Sequence, residues 1–258
     1  MTKSFGPKTA EMPFLDHLEE LRWRIIRCLI AVVIGAVVGF VLVDHYNVLG
    51  LLIAPIEPFL YGSKLKYLSP TDPFFITIQL AILVGLVLAS PIIIYQIWAF
   101  FAPALLPSEK RAIVPALYLG VVLFGAGVAM AYFAALPVTL KFTMGFQTAA
   151  LEQNIVISEY LSFVTRLLLA FGVVFELPVV ILVLSVIGVV TPEFLASKRR
   201  HAIAAITVLA SIITPGDVIT LTVMMMVPLI ALYELSIWLS RLVTRRRELS
   251  PAAAGAEA

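Results

Sequence analysis

Pro13-Phe14-Leu15-Asp16-His17-Leu18-Glu19-Glu20-Leu21-Arg22-Trp23-Arg24 runs straight into an apolar stretch over residues 25–43, and this junction decides how the chain is read. Phe14, Leu18, Leu21 and Ile25 recur at spacings of four, three and four, the stripe of an amphipathic α-helix. Glu20 lies on the opposite flank, with Asp16 one turn before it, Arg24 one turn after it and Arg27 two turns after it. Spacing alone describes a helix in the lipid interface, with Glu20 and Arg24 an ordinary pair contributing about 0.2–0.5 kcal/mol.

The surrounding composition is that of a membrane protein. Of 258 residues, 61% are hydrophobic and 13% charged, where a soluble domain carries about 45–50% and 25%. A net charge of +2 offers no acidic or basic domain for nucleic acid. Cys28 is the only cysteine, which excludes an intrachain disulfide and a thiolate metal cluster. His17, His45 and His201 are scattered outside the apolar runs. Mostly polar residues precede the first apolar run, and no small-residue cleavage site follows it before Asp44, so a cleavable signal peptide is not expected.

Apolar runs occupy residues 25–43, 74–101, 113–136, 161–190, 202–213 and 218–239, which predicts six spans. Fourteen of the eighteen Lys and Arg residues fall in the N-terminal segment, the loops with Lys110-Arg111 and Lys198-Arg199-Arg200, and the tail after Leu239. The opposite loops hold Lys64, Lys66 and Lys141, and Arg166 lies within the fourth run. By the positive-inside rule both termini are cytoplasmic. The expected architecture is an all-α integral membrane protein with an amphipathic segment over residues 1–24, one six-helix domain over 25–240 and a disordered cytoplasmic tail over 241–258.

Pro55, Pro58, Pro70 and Pro73 punctuate the first external loop among apolar residues, which predicts a stiff, partly buried cap. Ser108 before Glu109, and Thr191-Pro192-Glu193, carry the signals of helix N-termini. The fifth run, at 12 residues, gives about 18 Å of helix against a hydrocarbon core of about 30 Å. The sixth meets Pro228 and Glu234 early, so the fifth and sixth helices are both expected to be short. Thr214, Thr220 and Thr222 can supply interhelical hydrogen bonds, and Ile206, Leu209 and Thr222 mark a face for a lipid or a partner helix. Glu176 sits inside the fourth run just before Leu177-Pro178, where a carboxylate costs on the order of 3 kcal/mol. It should face a wet cavity, or be protonated and donate to the Val174 carbonyl that Pro178 leaves without its helical donor.

The spans hold neither a Ser with a His base nor a pair of Asp residues, which excludes an intramembrane protease, and no GxxxxGK[ST] loop is present for nucleotide hydrolysis. No internal repeat shows. A receptor or translocation scaffold and a proton-coupled small-molecule transporter remain.

Four motifs in order, His17-Leu18-Glu19-Glu20-Leu21-Arg22-Trp23-Arg24, Ser90-Pro91 through Tyr95-Gln96-Ile97-Trp98-Ala99-Phe100 to Leu105, Ala170-Phe171-Gly172 through Phe175-Glu176-Leu177-Pro178, and Thr214-Pro215-Gly216-Asp217-Val218, resemble TatC, the polytopic receptor of the twin-arginine protein translocase. The resemblance implies a cupped six-helix protein of the bacterial cytoplasmic membrane that binds signal peptides of folded cargo. It implies single-span TatA- and TatB-type partners, a larger complex with further copies of the chain, export driven by the proton motive force, and no cofactor. By position, Glu20 and Glu109 would receive the two arginines of the signal peptide, with Arg22 and Phe100 beside them. Pro55, Glu176 and Asp217 match further positions of functional weight. Lys110 stands where an arginine is common, Gly216 where a second proline is common, and Leu221 where a polar residue is frequent.

Overall fold

The structure is a computed structural model that describes residues 14–60, 62–101, 113–145, 154–213 and 219–254. Its regular elements are all helical, with one isolated backbone bridge between Lys66 and Val156. The amphipathic segment and the first apolar run form one helix, α1 (Phe14–His45). No proline interrupts it, and Asp16 in its first turn and His45 in its last suit the helix dipole.

The connection after α1 is folded. Asn47, at a positive φ of 47°, accepts from the Gly50 amide and starts α2 (Val48–Ile53). A short 3-10 turn, Glu57–Phe59, follows. Leu52 and Ile56 are buried in the main core. The Tyr132 hydroxyl donates to the Leu51 carbonyl and the Tyr160 hydroxyl to the Leu52 carbonyl, each at 2.7 Å. Further along, the Lys66 amide donates to the Ile155 carbonyl and the Ile157 amide to the Lys66 carbonyl.

α3 (Asp72–Phe101) carries Pro91 in its interior. Proline removes the donor that would reach the Val87 carbonyl, and the Ser90 hydroxyl donates to that same oxygen at 2.8 Å. α1 and α3 pack backbone to backbone. A Cβ on Gly35 would lie 2.5 Å from the Gly85 carbonyl oxygen, and one on Gly39 2.5 Å from that of Ala81. Small residues permit this approach.

α4 (Ile113–Met130) passes through a π-helical turn, Ala131–Ala135, into α5 (Leu136–Met144). Pro137 cannot donate to the carbonyl of Phe133, and the Leu136 amide instead reaches back five residues to Ala131. The fourth apolar run divides into α6 (Ile157–Val174) and α7 (Leu177–Val186), with Phe175 and Glu176 between them and Pro178 at the start of α7. α8 (Pro192–Ser197) is capped as its sequence predicts, with Thr191 Oγ1 accepting from the Phe194 amide at 3.2 Å. α9 (Arg199–Ile213) and α10 (Ile219–Ala254) are the last described helices.

Five described helical stretches are long and apolar enough to cross a membrane: Asp16–His45, Asp72–Phe101, Pro115–Met144, Ile157–Val186 and Met225–Leu242. α9, at 15 residues, is about 22 Å long and falls short of the hydrocarbon core by itself. One expectation needs correction. The sixth helix is short only in its apolar window, because α10 runs for 36 residues and contains Pro228 without stopping there. Arg, Leu and Glu, all good helix formers, carry it past the apolar pattern.

The main core gathers α6 with α3, α5, α9 and α10, and a second cluster joins Ile94 and Trp98 of α3 to Phe124 of α4 and Val179 and Val183 of α7. α10 is tied to α7 by a buried hydroxyl pair, Ser185 and Ser240, at 2.8 Å.

Candidate functional site

The N-terminal end of α1 lies beside the C-terminal end of α3, and the polar groups of the opening stretch converge there. Arg24 Nε donates to Glu20 Oε1 at 3.0 Å, and Nη2 donates to the same oxygen. Arg24 Nη1 donates to Gln96 Oε1 at 3.2 Å, which links the pair to α3. The i, i+4 pair is therefore part of a three-residue chain. Its second carboxylate oxygen, Oε2, is buried and has no hydrogen-bond partner. His17 Nδ1 stands 3.7 Å from Oε2. The imidazole stacks on Phe100 with centroids 4.3 Å apart and planes 17° from parallel.

Of the residues expected here, the structure thus gathers Glu20 and Phe100 around His17. Arg22 is exposed on another face of α1. Glu109 lies outside the described residues. His17 and Gln96 are members that sequence reasoning missed. The signal was available, since His17 is three residues before Glu20 and Gln96 one turn before Phe100 on the same face of α3.

A second polar feature lies between α6 and α7. The Glu176 carbonyl accepts from the Val179 and Val180 amides and so begins α7. Its side chain does not turn back to the Val174 carbonyl, and Oε1 is buried without a partner. The carboxylate borders a cleft lined by Ile94, Ile97, Trp98 and Phe101 of α3 and by Val179 and Val183 of α7. A Cβ on Gly120 of α4 would come within 3.1 Å of Oε2, so the glycine leaves room for the acid. The cleft walls are apolar, where a wet cavity was one expectation.

Elsewhere, Pro55 is half-buried in the turn after α2. Ile206 points into the core at 5% exposure, while Leu209, one turn on, is exposed at 38%. Thr222 is half-buried on α10 and Thr220 lies in that helix's first turn. Thr214 and Asp217 lie outside the described residues. Glu234 accepts both Nε and Nη2 of Arg199 at 2.8 Å, joining α9 to α10 at the surface. Among the described residues no group of His, Cys, Asp and Glu could hold a metal ion.

The family model for the Sec-independent protein translocase protein (TatC) matches residues 16–228. The chain belongs to the TatC family. It is 43% identical over 239 residues to the Sec-independent protein translocase protein TatC of Aquifex aeolicus, covering 92% of this chain and 98% of that one. To TatC of Escherichia coli K12 it is 38% identical, covering 89% and 88%. A crystal structure of the twin-arginine translocase receptor TatC superposes with a TM-score of 0.76 at 43% identity, over 88% of this chain and 99% of that chain. A second crystal structure of that receptor, in DDM, gives 0.76 at 42% identity over 87% and 99%. TatC membership makes this chain a component of a Sec-independent protein translocase, not an enzyme, and a bacterial multi-pass membrane protein. It also sets aside the small-molecule transporter.

Proposed function

We propose that the chain is the receptor that binds twin-arginine signal peptides of folded proteins and recruits single-span TatA- and TatB-type helices for export driven by the proton motive force. The observation that carries this reading is Glu20, a carboxylate anchored through one oxygen by Arg24 and left without a hydrogen-bond partner at the other, beneath a His17 ring that stacks on Phe100. Carboxylates accept guanidinium groups through charge-assisted hydrogen bonds, roughly twice as strong as neutral ones. Glu109, between α3 and α4 in the sequence, is the second carboxylate of the pair.

The orientation follows from charge. Arg22, Arg24 and Arg27 in the first half of α1, Lys198 to Arg200 at the start of α9, and Arg241 on α10 all belong to the cytoplasmic face, with both termini on that side. α9 is the remaining crossing, giving six in all, and locally thins the bilayer. The folded connection through α2 is then the external cap, held by Tyr132 and Tyr160. The cleft beside Glu176 receives the apolar part of the signal peptide or a partner helix, and the exposed Val208, Leu209 and Ile212 offer a docking face on α9.

Affinity purification of the chain from its own membranes should bring down single-span partners. Deleting it should trap cargo bearing paired arginines in the cytoplasm. Normal export of such cargo in the deletion strain would refute the receptor role.

A further inference from the structure

We propose that His17 is the resident placeholder of the arginine-receiving site, occupying the slot between Glu20 Oε2 and the face of Phe100 that one planar guanidinium of the signal peptide would take. The inference rests on the receptor reading above and adds how its site is kept closed when empty.

Among the described residues two side-chain oxygens are buried without a partner, and Glu20 Oε2 is one of them. An unpaired buried acceptor is costly, more so when charged. What covers it is a planar ring bearing nitrogen: His17 lies 17° from parallel over Phe100 and aims Nδ1 at Oε2 from 3.7 Å. That separation is an ion-pair distance and too long for a hydrogen bond. A guanidinium in the same plane stacks on the ring as the imidazole does, carries a permanent charge and brings donors in a fixed fork to Oε2. An ammonium has no planar face to lay on Phe100, so the slot discriminates arginine from lysine. Arg24 does not compete for it, because it bonds Glu20 through Oε1 while its Nη1 donates to Gln96 Oε1, which holds the pair in register. The His17 side chain is 42% exposed, so it can swing out without disturbing the core.

The test uses the full chain in lipid nanodiscs, with a fluorescent signal peptide carrying Arg-Arg and its Lys-Lys twin. His17→Ala and His17→Ser should each bind the Arg-Arg peptide roughly two- to fivefold more tightly than wild type, the value of an exposed cation–π contact. Binding of the Lys-Lys twin should not change. His17→Phe, which keeps a ring over Phe100, should gain nothing. Equal or weaker Arg-Arg binding by both small variants, with wild type still preferring Arg-Arg to Lys-Lys, overturns the placeholder and leaves the receptor reading standing. Absence of that preference in wild type overturns both.

Discussion

Glu20 is held by one oxygen and lacks a hydrogen-bond partner at the other. Neutralising it removes a charge-assisted acceptor without changing its shape, so Glu20→Gln should weaken binding of an Arg-Arg peptide by about 1.5–3 kcal/mol, and Glu109→Gln likewise. Unchanged peptide crosslinking in the double variant would count against both roles. Glu176 makes a different prediction. Its buried, unpartnered carboxyl borders an apolar cleft, and the break between α6 and α7 belongs to Pro178. Glu176→Ala should therefore leave the fold intact and reduce export and the depth of peptide insertion; wild-type values for both would make the residue merely structural. At this scale, much was legible in the sequence. The spacing of Glu20, Arg24 and the apolar stripe placed the acid on a polar flank. What spacing does not carry is contact across 72 residues, such as Arg24 with Gln96. The bond exists because glycines bring α1 and α3 together, a fact of tertiary packing.

Among the elements, prolines mark where the helices depart from regularity, and each departure has a local remedy. Ser90 serves the carbonyl that Pro91 leaves free, a π turn precedes Pro137, and α7 restarts at Pro178. The positions of these prolines were readable; which remedy each helix adopts was not, since kink, bulge and break all satisfy the same missing donor. The α1–α3 contact leaves no space for a side chain at Gly85, whose Cβ would lie 2.6 Å from the Ala36 Cα. Gly85→Leu should lower the thermal midpoint of the purified protein, at a cost of about 1–3 kcal/mol or more; an unchanged midpoint would mean that the helices can separate freely. α9 offers a sharper test of docking. With Cys28 replaced, a cysteine at Leu209 should crosslink to a single-span partner more strongly than one at buried Ile206, with Thr222 between them. Lipid-only labelling at all three positions would remove the docking face.

For the molecule as a whole, hydropathy made an all-helical membrane protein evident, and four short motifs pointed to the family that the comparisons show. The division of the fourth run into two helices, the continuation of α10 and the folding of the α1–α3 connection onto Tyr132 and Tyr160 came only with the structure. They depend on which surfaces meet, and apolar periodicity is silent on that. The assembled picture is a helical frame that carries a carboxylate and an aromatic ring at one end, where α1 and α3 converge, the end that the proposed receptor role assigns to a peptide with paired arginines. The most direct measurement is the affinity of the full chain in nanodiscs for an Arg-Arg signal peptide and its Lys-Lys twin, taken for wild type and for Glu20→Gln. The account predicts a preference for Arg-Arg in wild type that Glu20→Gln largely abolishes. Equal affinity of wild type for the two peptides, or an undiminished preference in Glu20→Gln, would contradict it.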